Sequence, residues 1–367
     1  MAEKFHMIDY IYEGPQALEA TISHNEKNLV DFVEKCKQHP IEKIIITGLG
    51  SSFAAALMAE PLFRMACPIP VLLVNGEEAG YYKSAWIGES SLVVSISRSG
   101  ERGSIVDIQK DVKEQGGLGL AVTSRADNLL SQYAGAALIT QEGPEISFPK
   151  TKSVMACTGV LMRLALEFGD KKNPNVQTWL NGLRRMPEII QRNILLLDDF
   201  IQGILPEISQ HAMLNAVGTG SNYGLALDAA VKVQESSFVP TRGDSTAGLL
   251  HGPVGALNAR CLVLAMVTAY DLEVSRELLE QIHTFKAHSI CVQDPQIKIE
   301  APCTYAISLS ESVDVYQAAL AYMPAVQLLA YHWTVARGMN PDKPASMDSL
   351  MDAFLPEGRQ EAEFQDE

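Results

Sequence analysis

The chain has no surplus of positive charge and no basic run: 29 lysines and arginines stand against 44 aspartates and glutamates, a formal net charge of −15. Phosphate backbones are held by clustered cations, so a nucleic-acid surface is not expected. No uninterrupted apolar stretch reaches the roughly 18 residues that suggest a membrane span. The N-terminus, MAEKFHMIDYIYEGPQ, carries acids and lacks the apolar segment of a secretory signal. Six cysteines, Cys36, Cys67, Cys157, Cys261, Cys291 and Cys303, include no C-x-x-C pair and have no histidine at a zinc-ligand spacing. That pattern argues against a metal site and a disulfide framework, and the cysteines read as small buried hydrophobes. Glycine and proline, 26 and 18 among 367 residues, are too sparse for a low-complexity or collagenous chain. What remains is an acidic protein with 47% hydrophobic residues, expected in the cytoplasm and long enough for two domains.

Short β-branched runs alternate with helix-length segments, the grammar of βαβ units and a parallel sheet. In the first half the strands are expected at 44–47, 71–74, 92–96, 118–123 and 136–140, with helices at 53–65, 104–113 and 153–168. The polar, breaker-rich segment 169–175 marks a boundary, which divides the chain into units 1–172, with an N-terminal helix, and 173–367. The second half repeats the grammar. A helical stretch over 176–208 leads to strands at 213–217, 261–266 and 289–292, with helices at 272–286 and 316–335 and an acidic tail from about residue 355. The order strand, then Gly-x-Gly-Ser, then helix occurs at Gly48-Leu49-Gly50-Ser51 and again at Gly218-Thr219-Gly220-Ser221. An internal duplication of two α/β units is the expectation.

Two turns of the first half, Gly48 to Ser52 and Ser97 to Arg102, are rich in hydroxyls and glycine at strand-to-helix junctions, where backbone N–H groups and the helix dipole favour an anion. Strands of one parallel sheet deliver such turns to a common edge, so the two can converge on one ligand. Neither is a dinucleotide or P-loop fingerprint, and either alone is also what an N-cap without a ligand looks like. Arg98 and Arg102 flank Ser99, and a guanidinium suits a phosphate oxyanion. A third polar turn, Glu145 to Lys152, offers Thr151 and two lysines to the same anion. In the second half Glu235 and His251 are candidates for acid–base work. A carboxylate and an imidazole suit proton transfer next to a carbonyl, and the apolar neighbours of His251 suggest a perturbed, partly buried imidazole. A histidine satisfied within the core is the plainer alternative.

These residues resemble the sugar isomerase (SIS) domain proteins, in particular the isomerase half of glucosamine-6-phosphate synthase and the fructosamine-6-phosphate deglycases. The similarity covers about residues 40 to 350. Its signatures are Gly50-Ser51-Ser52, Ile96 to Glu101, Gly143-Pro144-Glu145-Ile146 with Thr151-Lys152, Gly218-Thr219-Gly220, Val231 to Glu235, His251-Gly252-Pro253 and Gln327 to His332. The resemblance implies two tandem SIS domains, each a parallel five-stranded, flavodoxin-like sheet flanked by helices. It puts the sugar phosphate against Ser52, Ser97, Arg98, Ser99 and Arg102, with Gly50, Ser51, Thr151, Lys152 and Lys232 as further substrate-site candidates. Glu235 becomes the base at C1/C2, and His251 a ring-opening or proton-relay residue reaching into the neighbouring subunit's site. A homodimer with shared active sites follows from that, with pairing into tetramers left open. Neither a metal nor a redox cofactor is implied.

Departures from the resemblance sharpen it. The chain begins Met1-Ala2-Glu3 and reaches its first strand by about residue 44, so a glutaminase domain with a leading cysteine is not expected. The C-terminal lysine that forms a Schiff base in the synthase is matched here by Ser349, with Lys343 in Asp342-Lys343-Pro344 as the one nearby replacement. The expected function is a deglycase that cleaves a 6-phosphorylated sugar–amino acid conjugate, of the fructoselysine or glucoselysine 6-phosphate type, to hexose 6-phosphate and free amino acid. The alternatives are an aminosugar-6-phosphate deaminase or isomerase, and a non-catalytic phosphosugar sensor.

Overall fold

A computed structural model of the protein describes residues 5–81, 87–101 and 103–343. Helix α1 (His6–Cys36) precedes the first unit, which runs β1 (Lys43–Gly48), α2 (Ser51–Ala66), β2 (Val71–Asn75), α3 (Gly76–Tyr81) and β3 (Ser91–Ile96). It continues through α4 (Ser104–Glu114), β4 (Leu118–Thr123), α5 (Leu129–Ala134), β5 (Ala137–Ile139) and α6 (Lys152–Phe168). Helix α7 (Pro174–Ile208), with Asn173 capping its first turn, leads into β6 (Met213–Gly218), α8 (Ser221–Ser237), β7 (Thr241–Ser245) and α9 (Thr246–Leu250). The second unit closes with β8 (Cys261–Val267), α10 (Leu272–Thr284), β9 (His288–Gln293), β10 (Tyr305–Ser308) and α11 (Ala318–Ala336).

Both sheets are five-stranded and parallel throughout, in the orders β2-β1-β3-β4-β5 and β7-β6-β8-β9-β10. Counted within each unit the order is the same, second-first-third-fourth-fifth, so the duplication expected from the two Gly-x-Gly-Ser turns is a duplication of topology. Every residue of β3 and of β8 is buried, as continuous apolar strands must be when helices cover both faces of a sheet. Two strands of the second unit were not expected. β7 reads Thr-Arg-Gly-Asp-Ser and β10 Tyr-Ala-Ile-Ser; both are edge strands with no fully buried residue, so neither needs an apolar run.

The main core is shared between the units. It joins one face of each sheet to the helices between them, α1, α2 and α6 from the first unit and α7, α8 and α11 from the second. Smaller clusters lie on the outer faces, under α4 and α5 in the first unit and under α10 in the second. The apolar core therefore crosses the 169–173 connection without a break. Where α2 meets α8 the approach is close enough to require glycine: a Cβ on Gly224 would stand 2.5 Å from the backbone nitrogen of Met58. That contact brings the start of α2 alongside the middle of α8. All six cysteines are unpaired and five are buried, in line with their reading as small hydrophobes. Among the described residues no helix is long and apolar enough to cross a membrane.

Candidate active site

The turn from β1 into α2 places Gly50 as N-cap at φ 51° and ψ −128°, a conformation that favours glycine, and no side chain caps the helix. Its twin Gly220 stands at φ 62° and ψ −126°. The two turns then diverge. Ser221 is buried; its hydroxyl donates to the carbonyl of Val315 at 2.9 Å and accepts from the N–H of Ala319 at 3.1 Å, so the second turn is closed by the chain itself. The first turn opens on a cleft whose polar lining includes Ser51, Ser52, Arg98, Glu142, Lys150 and Ser153. An uncapped helix start lined by hydroxyls and two cations is suited to an anion.

The turn after β3 is braced from β4. The carbonyl of Arg98 accepts from the hydroxyls of Thr123 and Ser124, each at 2.9 Å, and the N–H of Gly100 donates to the Ser97 hydroxyl at 3.2 Å. Ser97 is half-buried and Ser99 exposed; Arg98 lines the cleft and its Nε lies 3.5 Å from Glu142 Oε1. Arg102, a fifth phosphate-binding candidate, lies outside the described residues, as does Ser349.

The third turn divides its residues between cleft and scaffold. Glu145 is buried and accepts from the N–H of Thr151 (2.7 Å), the hydroxyl of Thr151 (2.9 Å), the N–H of Lys152 (3.0 Å) and the hydroxyl of Ser153 (2.5 Å). It is the carboxylate at the start of α6, where the helix dipole favours negative charge. Burial pushes its pKa up, but Lys150, the Ser153 and Thr151 hydrogen bonds and Arg98 outweigh burial and hold it below the ordinary value. Thr151 spends both its donors on Glu145. Lys152 points the other way: its ammonium meets Glu13 at 2.7 Å and sits 4.4 Å from the centre of the Tyr10 ring, both on α1. The lysine of this turn that lines the cleft is Lys150, which donates to the carbonyls of Glu145 (3.1 Å) and Ser147 (2.8 Å). The reason is geometric: Lys152 is the first residue of α6, with α1 packed beside it.

From the second unit, α8 contributes Asp228, Lys232 and Glu235, spaced four and three residues apart and so on one helix face. Lys232 is fully buried, donating to Ser51 Oγ at 2.6 Å and Asp228 Oδ1 at 2.9 Å. Glu235, one turn further on, is half-buried, and its pKa is raised to about 7. Burial is the leading cause; the negative charge of Asp228 adds to it, while Lys232 and Lys150 pull the other way. Lys150 and Lys232 thus tie Glu235 electrostatically to the cleft. His251 departs from expectation. It follows α9 at the start of an irregular segment and is exposed, and it does not line the cleft within one chain. Arg242 on β7 is spent on Asp244.

Two residues of this region carried no signal in the sequence. Glu142, in the cleft wall, is a single carboxylate after β5 with no periodic neighbour, and Asp228, behind the cleft, is recognisable only once Lys232 is seen to be buried. The signature residue His332 turns out to hold helices together. Asp198 of α7 meets both the His332 imidazole and, at 2.6 Å, the Tyr12 hydroxyl of α1.

The molecule is a doubled, parallel α/β fold with a serine-lined, cation-bearing cleft where the strand order of its first sheet reverses, between β1 and β3. Residues 39–166 match the family model described as the SIS domain, which accounts for the first sheet, and the second sheet repeats the strand order of the first. Over 353 residues it is 29% identical to the glutamine–fructose-6-phosphate aminotransferase (isomerizing) of Pyrococcus horikoshii, covering 95% of this chain and 58% of that protein. The corresponding Escherichia coli protein is 25% identical over 355 residues, with 94% and 58% covered. The chain thus spans 58% of the length of these relatives. Among solved structures, the C-terminal domain of glucosamine-fructose-6-phosphate aminotransferase from Francisella tularensis superposes with a TM-score of 0.79 at 22% identity, covering 94% of this chain and 99% of that one. Glucosamine-6-phosphate deaminase from Thermotoga maritima gives 0.72 at 19% identity, covering 92% and 97%. At these identities the superpositions establish the fold.

Proposed function

We propose that the protein is an enzyme that cleaves a 6-phosphorylated sugar–amino acid conjugate, of the fructoselysine or glucoselysine 6-phosphate type, to a hexose 6-phosphate and the free amino acid. The observation that carries this reading is Glu235, a carboxyl raised to about 7 beside a cleft that offers serines, an uncapped helix start and cations. A base whose pKa lies near the working pH combines a usable ionised fraction with enough basicity to take a carbon-bound proton. In the proposed mechanism Ser52, the 97–99 turn and Arg98 hold the phosphate. Glu235 removes a proton from the nitrogen-bearing carbon of the open-chain sugar and returns one to the neighbouring carbonyl carbon. The carbonyl oxygen gains a proton and becomes a hydroxyl, and as the nitrogen gives up its N–H proton the carbon–nitrogen bond becomes an imine. Water then adds to the imine and releases the amine and the hexose 6-phosphate. The substrate's own carbonyl is the electron sink for the first proton removal and its nitrogen lone pair forms the imine, so no lysine Schiff base is needed, which fits a serine at 349. Lys232 keeps Ser51 and Asp228 in place and biases Glu235 toward its ionised form.

We further propose that a homodimer in the cytoplasm is the working unit, with His251 completing a partner's site. Its exposure in the single chain supports that reading. A second reading, an aminosugar-6-phosphate deaminase or isomerase, is favoured by the names of relatives, which include isomerizing glutamine–fructose-6-phosphate aminotransferases and a glucosamine-6-phosphate deaminase. The test is incubation with 6-phosphorylated ketose–amine conjugates and, separately, glucosamine 6-phosphate, following amine, ammonia and hexose 6-phosphate. Amine release from the conjugates supports the deglycase; ammonia from glucosamine 6-phosphate alone transfers the claim to the deaminase; binding without turnover makes the protein a sensor.

A further inference from the structure

Glu142 lies in the segment between β5 and α6, 5% exposed, in the wall of the cleft. Neither of its carboxylate oxygens makes a hydrogen bond, and the Arg98 Nε at 3.5 Å makes none either. The two stand at ion-pair distance without the geometry of a hydrogen bond. A buried carboxylate in that condition is costly, and a structure that keeps one commonly uses it. Three of the hydroxyl groups that line the same cleft are committed elsewhere. The Thr123 hydroxyl donates to the carbonyl of Arg98, the Thr140 hydroxyl to the carbonyl of Thr123 at 3.2 Å, and the Ser153 hydroxyl to Glu145. Cys157, the thiol on the same wall, is pushed up first by burial and then by the negative charge of Glu142, so it stays a protonated, weak donor.

A carboxylate cannot contact a phosphate dianion, yet here it faces a cleft whose other charged lining residues are cations. The arrangement divides the cleft into an anion end, at Ser52 and Arg98, and an acceptor end at Glu142. We propose that Glu142 is a specificity-determining residue that accepts hydrogen bonds from hydroxyl groups of the phosphorylated sugar, one to each carboxylate oxygen. The assignment rests on the phosphosugar reading of the cleft and extends it: the ligand must be a polyhydroxylated phosphate ester, and a bare phosphate or an alkyl phosphate uses only half of the site. The Arg98 guanidinium belongs to the anion end, and its Nε, 3.5 Å from Glu142, keeps the carboxylate from repelling the anion.

The test is calorimetric titration of D-glucitol 6-phosphate, an open-chain polyol phosphate, and of methyl phosphate into wild type, Glu142→Ala and Glu142→Gln, with thermal melts to establish that each variant is folded. Charge-assisted hydrogen bonds predict that Glu142→Ala loses about 10-fold or more in affinity for glucitol 6-phosphate. Methyl phosphate binding should be unchanged or tighter, and Glu142→Gln should recover part of the loss. Equal weakening of both ligands would assign Glu142 to positioning Arg98 and overturn the proposal, as would unchanged binding of both. Wild type that binds neither ligand would sink the phosphosugar reading itself, an outcome visible before any variant is compared.

Discussion

The ammonium of Lys232, buried on α8 of the second unit, donates to the hydroxyl of Ser51 at the first residue of α2 in the first unit, 2.6 Å away. One hydrogen bond thus joins the helix that carries Glu235 to the helix start that faces the anion cleft. Its donor is also paired with Asp228, which is fully buried and whose second oxygen has no hydrogen bond.

Removing Lys232 alone should be severe. Lys232→Met leaves Asp228 buried and unpaired, and breaking such a pair from one side costs about 3–5 kcal/mol. The double variant Lys232→Met/Asp228→Leu should recover most of that loss in a urea or thermal titration while remaining impaired in turnover. Recovery of both stability and full activity would mean that the pair is only scaffold.

The raised carboxyl of Glu235 has two consequences of opposite sense. As a base it works when ionised, so kcat/KM should rise with pH through about 7. As a stability term it works the other way: the fold favours the protonated form, so the contribution is complete below the ordinary 4.5 and is lost as pH climbs toward 7. Glu235→Gln should abolish turnover and flatten that part of the stability–pH curve. A pH–rate profile already flat from pH 5 upward would show that no group raised to this extent governs the reaction.

Glu145 is the opposite case. Its folded pKa is held below the ordinary value, so its contribution is complete at neutral pH and disappears as acid takes the solution down through the folded value. Glu145→Gln removes a charged cap that satisfies four donors at the start of α6 and should destabilise the protein by about 1–3 kcal/mol. The difference from wild type should shrink in acid, as read from melting temperatures followed from neutral pH to well below the ordinary 4.5.

Exposure of His251 makes its proposed role in a partner's site testable by mixing. Glu235→Gln and His251→Ala should each be inactive and folded. Co-expressed, they should regain about a quarter of wild-type activity, because half of randomly paired dimers are mixed and each mixed dimer holds one intact site. No recovery, with mixed dimers demonstrated by mass, would place His251 and Glu235 of one chain in the same site or remove His251 from the chemistry.

Much of this fold was legible in the sequence, and the reasons are physical. Central strands such as β3 and β8 are buried on both faces, so they had to be written as apolar runs; edge strands β7 and β10 did not, and they stayed hidden. The twin glycine turns were legible because their backbone conformation favours glycine. Only the structure tells them apart, since the closure of the second turn by Val315 and Ala319 comes from residues nearly a hundred positions away. Lys152 and Lys150 look equivalent in sequence, and the packing of α1 decides which one faces the cleft. The local apolar context of His251 suggested burial, whereas its place after a one-turn helix leaves it exposed. Glu142 could not be singled out at all, because an unsatisfied acceptor is defined by what surrounds it in space.

The account turns on Glu235 moving a proton on a phosphorylated sugar–amine conjugate. The most direct measurement is the stoichiometric release of amino acid and hexose 6-phosphate from fructoselysine 6-phosphate and glucoselysine 6-phosphate by wild type and by folded Glu235→Gln. The account predicts equimolar release from at least one of the two by wild type and none above the uncatalysed rate by the variant. Release by Glu235→Gln at the wild-type rate, or no release from either conjugate by wild type, would contradict it.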